Sequence, residues 1–478
     1  MTGNLTEYKR GFIEFLLSQG ALKVDNDFSL KSGRSSPYFV NIGDFNDGIS
    51  TAALGKAYAE AIRASGVEFD SLYGIPEKGV SLAIASSIGL AHLGINKPWF
   101  FTRKDPKYHG EINGLSRDEL RRAMIVGRTP QDGNSLVQLD DVFTAGDAKY
   151  QAREDLAKLG DFQLPLLVIA VDRQEVGIDG ESAIQKYTAD TNTRVESIIS
   201  AADIYNYLSQ SSDPNHKKAV VRISNYLRAY GTKQVRDLLE LRSLEQKVVN
   251  REKSVVIACD VPTLESFEDL VKQTADIDGI GGYKVGFELG LGFGLPRVVE
   301  VARKYTDKSI IYDHQKAGTD IPDTGKNFAR VCRDAGVDTV IFFPQAGPET
   351  ERAWIYQALN HGLKVIVGGR MTHKAYAVSE GGFIQDEKAI EIYRIAARAG
   401  VNNFVVPGNK LDVIKTIREI IEGEGITPTL YAPGFVAQGG KISEAAGVAG
   451  NYWSAIVGRG IYEAQDRRAA TLEHVRML

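Results

Sequence analysis

The sequence is poor in cysteine and has no long apolar run. Only Cys259 and Cys332 occur among its 478 residues, which argues against a disulfide framework, so we expect a cytoplasmic protein. No stretch of about 18 apolar residues is present, so no membrane span is predicted. The opening residues MTGNLTEYKRGF lack the apolar core of a secretory signal, so none is expected.

An excess of positive charge is also missing. The formal net charge is -4, so non-specific nucleic-acid binding is not expected, and any anionic ligand must be held by local basic clusters. The 43% hydrophobic and 25% charged residues are typical of a globular protein, and the length predicts two or three domains.

A polar seam, SQSSDPNHKK at residues 209–218, divides two regular regions. The stretches at 219–231 and 233–250 that follow it are predicted to be helices. We therefore predict a first domain at 1–208, a linker with connecting helices at 209–250, and a second domain at 251–478.

The second domain alternates short apolar runs with helical stretches. Continuous Val/Ile runs indicate strands buried on both faces, as in parallel sheets. The runs are SVVIACD, GIGGYKVG, SIIYDHQK, DTVIFFP, LKVIVGG, NNFVVPG, TLYAPG and SAIVGRG. These eight units predict a (β/α)8 TIM barrel, whose chemistry lies at the carboxyl ends of the strands. The residues at those ends are Asp260, Lys284, Asp313, Pro407, Pro433 and Arg459.

The first domain also alternates strands and helices. The segments SLYGIP, KPWFFTRK, SLVQLDD and LPLLVIAVDRQ are predicted strands, which favours an open parallel sheet flanked by helices. Within it, LVQLDDVFTAGDA is a strand, two acids and a glycine turn that opens a helix. A helix N-terminus suits a phosphate group, and Asp140 and Asp141 are candidates to hold ribose hydroxyls or a hydrated Mg2+. The plainer alternative is a strand-to-helix turn with an Asp cap.

This turn resembles the phosphoribosyl-pyrophosphate motif of type I phosphoribosyltransferases. The segments FSLKSGRSSPYFVN (28–41), FTRKDPKYHGE (101–111) and VDRQE (171–175) resemble orotate phosphoribosyltransferase. The resemblance implies a type I phosphoribosyltransferase open sheet, Mg2+ as its metal, and a mobile basic loop that works across a dimer interface. The residues implied for orotate are Lys31 and Arg173. Those implied for phosphoribosyl pyrophosphate are Lys78, Arg103, Lys104, Lys107, His109, Asp140, Asp141, Thr144 and Gly146, with Lys104 and His109 also catalytic.

One residue departs from that family. A hydroxyl residue usually follows TAG and donates to the 5'-phosphate, whereas this chain has Asp147. A carboxylate there repels a phosphate unless it turns outward as a helix cap. The alternative is therefore a first domain that senses nucleotides without catalysis.

From Ser254 to Ala470 the chain resembles orotidine 5'-phosphate decarboxylase. The matching segments are ACDVPT, YKVG, DHQKAGTD, RMTHK, YAPGFVAQGG and IVGRG. The resemblance implies no cofactor for this domain. The implied catalytic residues are Lys284, Asp313, Lys316 and Asp320. The implied substrate contacts are Asp260, Thr324, Thr372, Pro433, Gln438 and Arg459, and Asp320 and Thr324 resemble residues that enter a neighbouring subunit's site.

The spacing of the charged array is longer than in that family, which usually has Asp-x-Lys-x-x-Asp. In a regular strand Gln315, and not Lys316, shares the face of Asp313. A bulge after Asp313 brings Lys316 back to the site. His314 is then predicted to be a packing or loop residue rather than a metal ligand.

Together the two halves resemble the bifunctional uridine 5'-monophosphate synthases. That resemblance implies a homodimer or a higher homo-oligomer, with orotate, phosphoribosyl pyrophosphate, orotidine 5'-phosphate and UMP as its ligands. A further alternative is that the barrel is a sugar-phosphate lyase of the same superfamily, which binds Mg2+ through acidic strand ends. The match at Thr372 favours the nucleotide.

Overall fold

The computed structural model describes residues 5–30, 32–105, 107, 116–143, 146–241, 246–314, 318–435 and 440–478. It contains two compact units, Met1–Leu227 and Arg228–Leu478. The division falls inside the segment 209–250 that the sequence predicts as linker and connecting helices. No helix within the described ranges is long and apolar enough to cross a membrane.

Among the described residues, the first unit has one large, mainly parallel sheet of six strands and two small antiparallel pairs of strands. Its strands are β1 (Leu22–Lys23), β2 (Phe28–Ser29), β3 (Ser35–Ser36), β4 (Phe39–Val40), β5 (Ser71–Gly74), β6 (Trp99–Thr102), β7 (Ile125–Gly127), β8 (Ser135–Leu139), β9 (Gln163–Asp172) and β10 (Arg194–Ser200). Its helices are α1 (Glu7–Ser18), α2 (Gly48–Ser65), α3 (Gly79–His92), α4 (Arg117–Met124), α5 (Asp147–Leu159), α6 (Ala183–Thr191), α7 (Ala201–Ser209) and α8 (Pro214–Tyr230), the last of which runs into the second unit, and a 3-10 turn covers Ile42–Asp44.

The large sheet has the strand order β10-β9-β8-β5-β6-β7, in which β7 alone among the described strands is antiparallel to its neighbour. The predicted open sheet is therefore confirmed, and β5, β6, β8 and β9 lie where the sequence predicts strands. The α5 helix covers one face because Ala152, Leu156 and Leu159 share one side of it and pack into the core. The strand β8 lies at the centre of the sheet, so its carboxyl end opens beside the start of α5.

The second unit is a closed barrel. Its strands are β11 (Lys253–Ala258), β12 (Ile280–Val285), β13 (Ser309–Tyr312), β14 (Thr339–Phe342), β15 (Lys364–Gly368), β16 (Asn403–Val405), β17 (Thr429–Pro433) and β18 (Trp453–Val457). Its helices are α9 (Lys233–Leu238), α10 (Leu264–Thr274), α11 (Phe287–Phe293), α12 (Leu295–Arg303), α13 (Thr324–Asp334), α14 (Pro348–Asn360), α15 (Asp386–Arg398), α16 (Leu411–Gly423), α17 (Ile442–Ala449), α18 (Arg459–Tyr462) and α19 (Arg467–Arg476), and a 3-10 turn covers Val378–Glu380.

Each barrel strand pairs in parallel with the next one along the chain, and β18 closes the ring against β11. The predicted (β/α)8 barrel is confirmed, with one strand in each of the eight apolar runs. Side chains that point outward pack against the helices, while a smaller inner cluster fills the barrel. The barrel is therefore a solid support for a site at its carboxyl end.

The helix predicted at 233–250 is wrong in its second half. The α9 helix ends at Leu238, residues 242–245 lie outside the described ranges, and Val248 and Val249 join the inner core at the amino end of the barrel. Gln246 accepts a hydrogen bond from the backbone N–H of Val365, and its own carbonyl accepts one from Asn403. Val248 and Val249 are 4% and 9% exposed, so burial of their side chains in the barrel overrides the local helical pattern.

Candidate active sites

A cavity of about 300 Å3 opens at the carboxyl end of the barrel. Six residues that the sequence predicts for the site line it: Asp260, Lys284, Asp313, Thr372, Pro433 and Arg459. Its volume lies at the lower end of the range for small-molecule sites. The geometry therefore brings together residues that are up to about two hundred positions apart in the sequence.

The register of the first three strands explains why the charged residues meet. Lys284 on β12 pairs with Ala258 on β11 and with Ile311 on β13, and both partners belong to the inner core. Asp260 and Asp313 each follow one of these partners by two residues, so their side chains point to the same side as Lys284. The strand pattern therefore aims two carboxylates and one ammonium into the cavity.

The ammonium Nζ of Lys284 lies 3.1 Å from Oδ2 of Asp313 and 3.8 Å from Oδ1 of Asp260. The Lys284 side chain is 9% exposed, whereas that of Asp260 is 38% exposed. Burial alone lowers the pKa of Lys284, but Asp313 and Asp260 outweigh burial and raise that pKa, so the side chain is a cation at neutral pH. The site therefore holds one buried positive charge between two negative ones.

The floor of the cavity is apolar. Ala258, Ile341, Phe343, Val405 and Ile456 line it and also belong to the inner core. Charges above such a floor interact more strongly than they do in water, because few solvent dipoles screen them. The sequence analysis did not single out these side chains, since their apolar runs looked like any other buried strand.

Thr372 lies on the segment after β15, and several ion pairs hold that segment. The guanidinium of Arg370 lies 2.6 Å from Asp386 and 3.4 Å from Glu380, and Glu380 also lies 2.5 Å from Lys410. Asn409 donates a 3.1 Å hydrogen bond to the carbonyl of Thr372. The segments after β15 and β16 are thereby tied together at the edge of the cavity.

Hydrogen bonds set the charge of Asp386 in this network. Its carboxylate accepts hydrogen bonds from the hydroxyl and the backbone N–H of Ser379, which together with Arg370 lower its pKa to about 2. Asp386 is therefore ionised at any physiological pH and holds the loop as a fixed charge.

The far end of the cavity is shaped by glycines and a basic residue. Pro433, Gly434, Gly458, Arg459 and Tyr462 line it. Gly434 has a φ of 103°, a backbone conformation that favours glycine. Arg459 begins α18, so its side chain stands beside backbone that can approach a ligand closely.

Other predicted residues are not brought into this cavity. Asp320 is exposed and accepts a hydrogen bond from its neighbour Ile321, while Thr324 donates to the carbonyl of Ile321. His314 lies 2.6 Å from the hydroxyl of Tyr312 and contacts the ring of Phe328 on the outer side of the barrel. Lys316 and Gln438 lie outside the described residues.

In the first unit, the two acids after β8 each form an ion pair with a lysine. Asp141 pairs with Lys78 and Asp140 with Lys149, whose Nζ lies 2.5 Å from the carboxylate. Burial raises the pKa of Asp140, and Lys149 opposes that rise. The sequence analysis missed Lys149, because a lone lysine in a helical pattern is usually a solvated residue.

The turn after these acids opens α5 with Gly146, whose φ of 93° lies in the left-handed region that glycine adopts readily. Asp147 is the first residue of the helix, and it is exposed. An acid in the first turn stabilises a helix. Thr144 lies outside the described residues.

Arg173 lies in a compact cluster at the carboxyl end of β9. Its guanidinium sits 4.2 Å from the ring centre of Tyr38, donates to Ser36 at 2.8 Å, and lies 2.7 Å from Glu175. Burial works most strongly against its charge, but Glu175, Tyr38 and Tyr226 together outweigh burial and raise the pKa of Arg173. The cation is therefore fixed in orientation. Lys31, its predicted companion, lies outside the described residues.

The basic loop after β6 is described only in part. Backbone N–H groups of Arg103 and Lys107 donate to the carbonyls of Met124 and Ala123, and the side chains of Lys104 and Lys107 are exposed. His109 lies outside the described residues. Two exposed ammonium groups are thus available to a ligand on this side of the sheet.

Comparison with known proteins assigns the two halves separately. A family described as "Orotidine 5'-phosphate decarboxylase / HUMPS family" matches residues 253–473. Two orotate phosphoribosyltransferases match the first half over 226 residues, 47% of this chain and 98% of each relative. The protein of Photobacterium profundum is 40% identical and that of Vibrio cholerae 39%. A solved orotidine 5'-monophosphate decarboxylase of Methanocaldococcus jannaschii, complexed with the inhibitor BMP, is 27% identical, with 48% of this chain and 99% of that chain covered and a TM-score of 0.42.

Proposed function

Because its first half belongs to the orotate phosphoribosyltransferase family and its second half to the orotidine 5'-phosphate decarboxylase / HUMPS family, we propose that this chain catalyses two consecutive reactions. The first unit joins orotate to phosphoribosyl pyrophosphate and forms orotidine 5'-phosphate. The barrel then removes carbon dioxide and forms UMP. The product of the first reaction is the substrate of the second, which gives a reason for their union in one polypeptide.

The observation that carries the barrel's role is the buried ammonium of Lys284 between the carboxylates of Asp313 and Asp260. Loss of carbon dioxide from C6 of the pyrimidine leaves an electron pair in the ring plane, where the ring delocalises it poorly. Fixed charges in an apolar cavity can stabilise that pair without a cofactor. Lys284 anchors the acids, and Asp313, next to the substrate carboxylate, disfavours the ground state.

We assign the proton donor to Lys316. An ammonium that stabilises the developing carbanion can also protonate C6 once carbon dioxide has left, so one group performs both tasks. Asp313 precedes Lys316 by three residues, and the side chain of Asp313 points into the cavity. Lys316 itself lies outside the described residues, so its assignment rests on the family resemblance and on this position of Asp313.

Arg459 and Gln438 are assigned to the 5'-phosphate, and Thr372 to the pyrimidine. Arg459 and Thr372 both line the cavity, as the two ends of a nucleotide require. Phosphate contacts remote from the reacting carbon supply binding energy that can be used in the transition state.

In the first unit, we assign Arg103, Lys104, Lys107 and His109 to the departing pyrophosphate. Four basic groups neutralise the charge that builds up as the bond to the anomeric carbon breaks. Lys31 and Arg173 are assigned to orotate. Lys78, Asp140, Asp141, Thr144 and Gly146 are assigned to the phosphoribosyl group.

A magnesium ion fits the transferase site if the substrate phosphates supply part of its ligands. The described residues contain no group of three or more metal-binding side chains, so a protein cage for the ion is absent from that part of the chain. Mg2+ commonly keeps several waters and binds through one or two carboxylates and substrate phosphates. Asp141 would be the carboxylate that binds the ion, with Asp140 next to it in the chain. The bound ion would offset negative charge on the pyrophosphate.

We further propose a cytoplasmic homodimer. Asp320 and Thr324 stand away from the cavity of their own barrel, and Ile321 between them is 59% exposed. Residues placed there can serve a neighbouring copy's site, which is the role that the family resemblance implies.

The family description also includes HUMPS proteins, so a sugar-phosphate lyase remains the second candidate for the barrel. An Mg2+-dependent lyase loses activity in EDTA, whereas the proposed decarboxylase does not. The purified chain should therefore be assayed separately for orotate consumption and for release of carbon dioxide from orotidine 5'-phosphate, with and without EDTA. Absence of the second activity would refute the proposal for the barrel, and absence of the first would leave the first unit as a sensing domain.

A further inference from the structure

The two acids after β8 are alike in sequence and burial, but their lysine partners differ. The side chains of Asp140 and Asp141 are each 9% exposed. The lysine on Asp140 is 6% exposed, whereas the lysine on Asp141 is 65% exposed. One acid is therefore covered by a buried cation and the other by a cation that reaches solvent.

Lys149 is enclosed by groups that satisfy its charge. Its Nζ lies 2.5 Å from Oδ2 of Asp140, donates to the carbonyl of Val142 at 2.7 Å, and sits 5.5 Å from the ring centre of Phe143. It projects from the first turn of α5, so one side chain joins the helix to the strand end and to the turn between them. Removal of this cation leaves Asp140 buried without a countercharge, which is strongly destabilising for a buried ion pair.

Both oxygens of Asp140 are engaged inside the protein. Oδ1 accepts a 2.8 Å hydrogen bond from the backbone N–H of Asp141, and Oδ2 is held by Lys149. The backbone carbonyl of Asp140 accepts a hydrogen bond from the buried hydroxyl of Tyr58. Asp140 is thus surrounded by fixed partners.

Asp141 is held less firmly. Its Oδ1 accepts a hydrogen bond from the N–H of Val142, and its Oδ2 faces Lys78 at the start of α3. The ammonium of Lys78 can rotate away because water then solvates it, whereas the enclosed ammonium of Lys149 has no such exit. Departure of Lys78 uncovers the carboxylate of Asp141 and frees an ammonium for an anionic ligand.

We propose that Lys149 is a positioning residue of the transferase site, which holds Asp140 in a fixed orientation beside the phosphoribosyl donor, while Asp141 exchanges its lysine for that donor. The two roles follow from the exposure of the two lysines. The buried Lys149 fixes the turn, whereas the exposed Lys78 can move from the carboxylate of Asp141 to the substrate. This inference rests on the proposed transferase function. It assigns a role to a residue that none of the sequence motifs includes.

The test is Lys149→Met in the full-length chain, with Lys158→Met as the matched control. Lys158 lies on the same helix but is 61% exposed in its pair with Asp155. We expect Lys149→Met to raise KM for phosphoribosyl pyrophosphate by about tenfold or more, because the turn that binds it shifts. KM for orotate and the decarboxylase rate should change by less than about twofold, as should all parameters of Lys158→Met.

A double variant, Asp140→Asn with Lys149→Met, separates positioning from folding. It removes both charges, so it should recover part of the affinity for phosphoribosyl pyrophosphate that Lys149→Met loses. An equal rise in both KM values, or additive losses in the double variant, would overturn the inference. The same holds if Lys149→Met binds phosphoribosyl pyrophosphate as tightly as the unchanged chain does.

Failure of the proposed function gives a different result. If the unchanged chain consumes no orotate, the transferase proposal fails, and the affinity for phosphoribosyl pyrophosphate is measured by calorimetry instead. Weaker binding by Lys149→Met, restored in part by the double variant, then still supports the inference. Unchanged binding refutes it.

Discussion

Lys284 and Asp313 lie on neighbouring barrel strands, and the ammonium of one donates a 3.1 Å hydrogen bond to the carboxylate of the other. The backbone N–H of Asp313 donates to the carbonyl of Val285, so the sheet pairing continues beyond the last assigned residue of β13. The pair is therefore held by the barrel itself and not by a loop. This rigidity is what a site that works through fixed charges needs.

Replacement of Lys284 by methionine should abolish decarboxylation. Asp313, whose side chain is 16% exposed, then lacks its cation, so we expect a loss of about 100-fold or more in the rate. Release of carbon dioxide from orotidine 5'-phosphate measures this, and Lys272→Met, an exposed change on α10, is the control. Orotate consumption by the first unit should be unchanged. Decarboxylation at an undiminished rate in Lys284→Met would show that Lys284 has no role in the reaction.

Lys316→Ala should also remove decarboxylation and barely affect the transferase. We expect this because Lys316 is the proposed proton donor, and without it C6 lacks both stabilisation and a proton. Binding of UMP, which lacks the reacting carboxylate, should weaken far less than the rate. Retained decarboxylation would contradict the assignment.

Arg459→Ala should chiefly weaken phosphate binding. We expect KM for orotidine 5'-phosphate to rise by about tenfold, because a charge-assisted contact is worth about 1.5–3 kcal/mol. The sharper measurement compares UMP with uridine as inhibitors. Arg459→Ala should reduce the preference for UMP and leave uridine binding unchanged, and equal weakening of both would argue against a phosphate contact.

Asp147→Ser should leave the transferase unchanged or improve it. The carboxylate is exposed at the first turn of α5, where it repels a 5'-phosphate, whereas a hydroxyl can donate to one. KM for phosphoribosyl pyrophosphate and the orotate turnover number measure the effect. A sharp loss of either would show that this acid has an active part in the reaction.

Asp386→Asn should destabilise the barrel in a pH-dependent way. The pKa of Asp386 is lowered to about 2 by its hydrogen bonds from Ser379 and by Arg370, so the ionised side chain stabilises the fold above about pH 4. That contribution is lost as pH falls towards 2. The melting temperature of Asp386→Asn should thus lie below that of the unchanged chain at pH 7, and the gap should narrow below about pH 4. A gap that is independent of pH would contradict this, and Glu473→Gln, an exposed change on α19, is the control.

Sequence reasoning predicted the barrel because each strand is buried on both faces and therefore forms a continuous apolar run. Once the barrel is known, charged residues at strand ends must converge, which is how Asp260, Lys284 and Arg459 could be placed. It missed the edge strand β10, where RVESIIS alternates polar and apolar residues as a surface segment does. Edge strands carry a weaker signal since one side of them is solvated.

Long-range partners were not predictable in the same way. Nothing in the sequence near Lys149 shows that its ammonium is buried against Asp140, because the contact depends on where α5 starts relative to β8. The stacking of Arg173 on Tyr38 likewise joins residues far apart in the chain. Such contacts follow from packing, and no local pattern encodes them.

The valines at 248 and 249 have a practical consequence for any attempt to split the enzyme. The family match begins at residue 253, but a barrel cut there would lose both valines and the hydrogen bonds of Gln246. Val249 packs directly on Gly281, since a Cβ added to that glycine would lie only 2.6 Å from Cγ1 of Val249. Removal of Val249 would therefore leave a cavity at the amino end of the barrel. A half-enzyme that begins at 228, where the second unit starts, should remain folded on its own, whereas one that begins at 253 should aggregate.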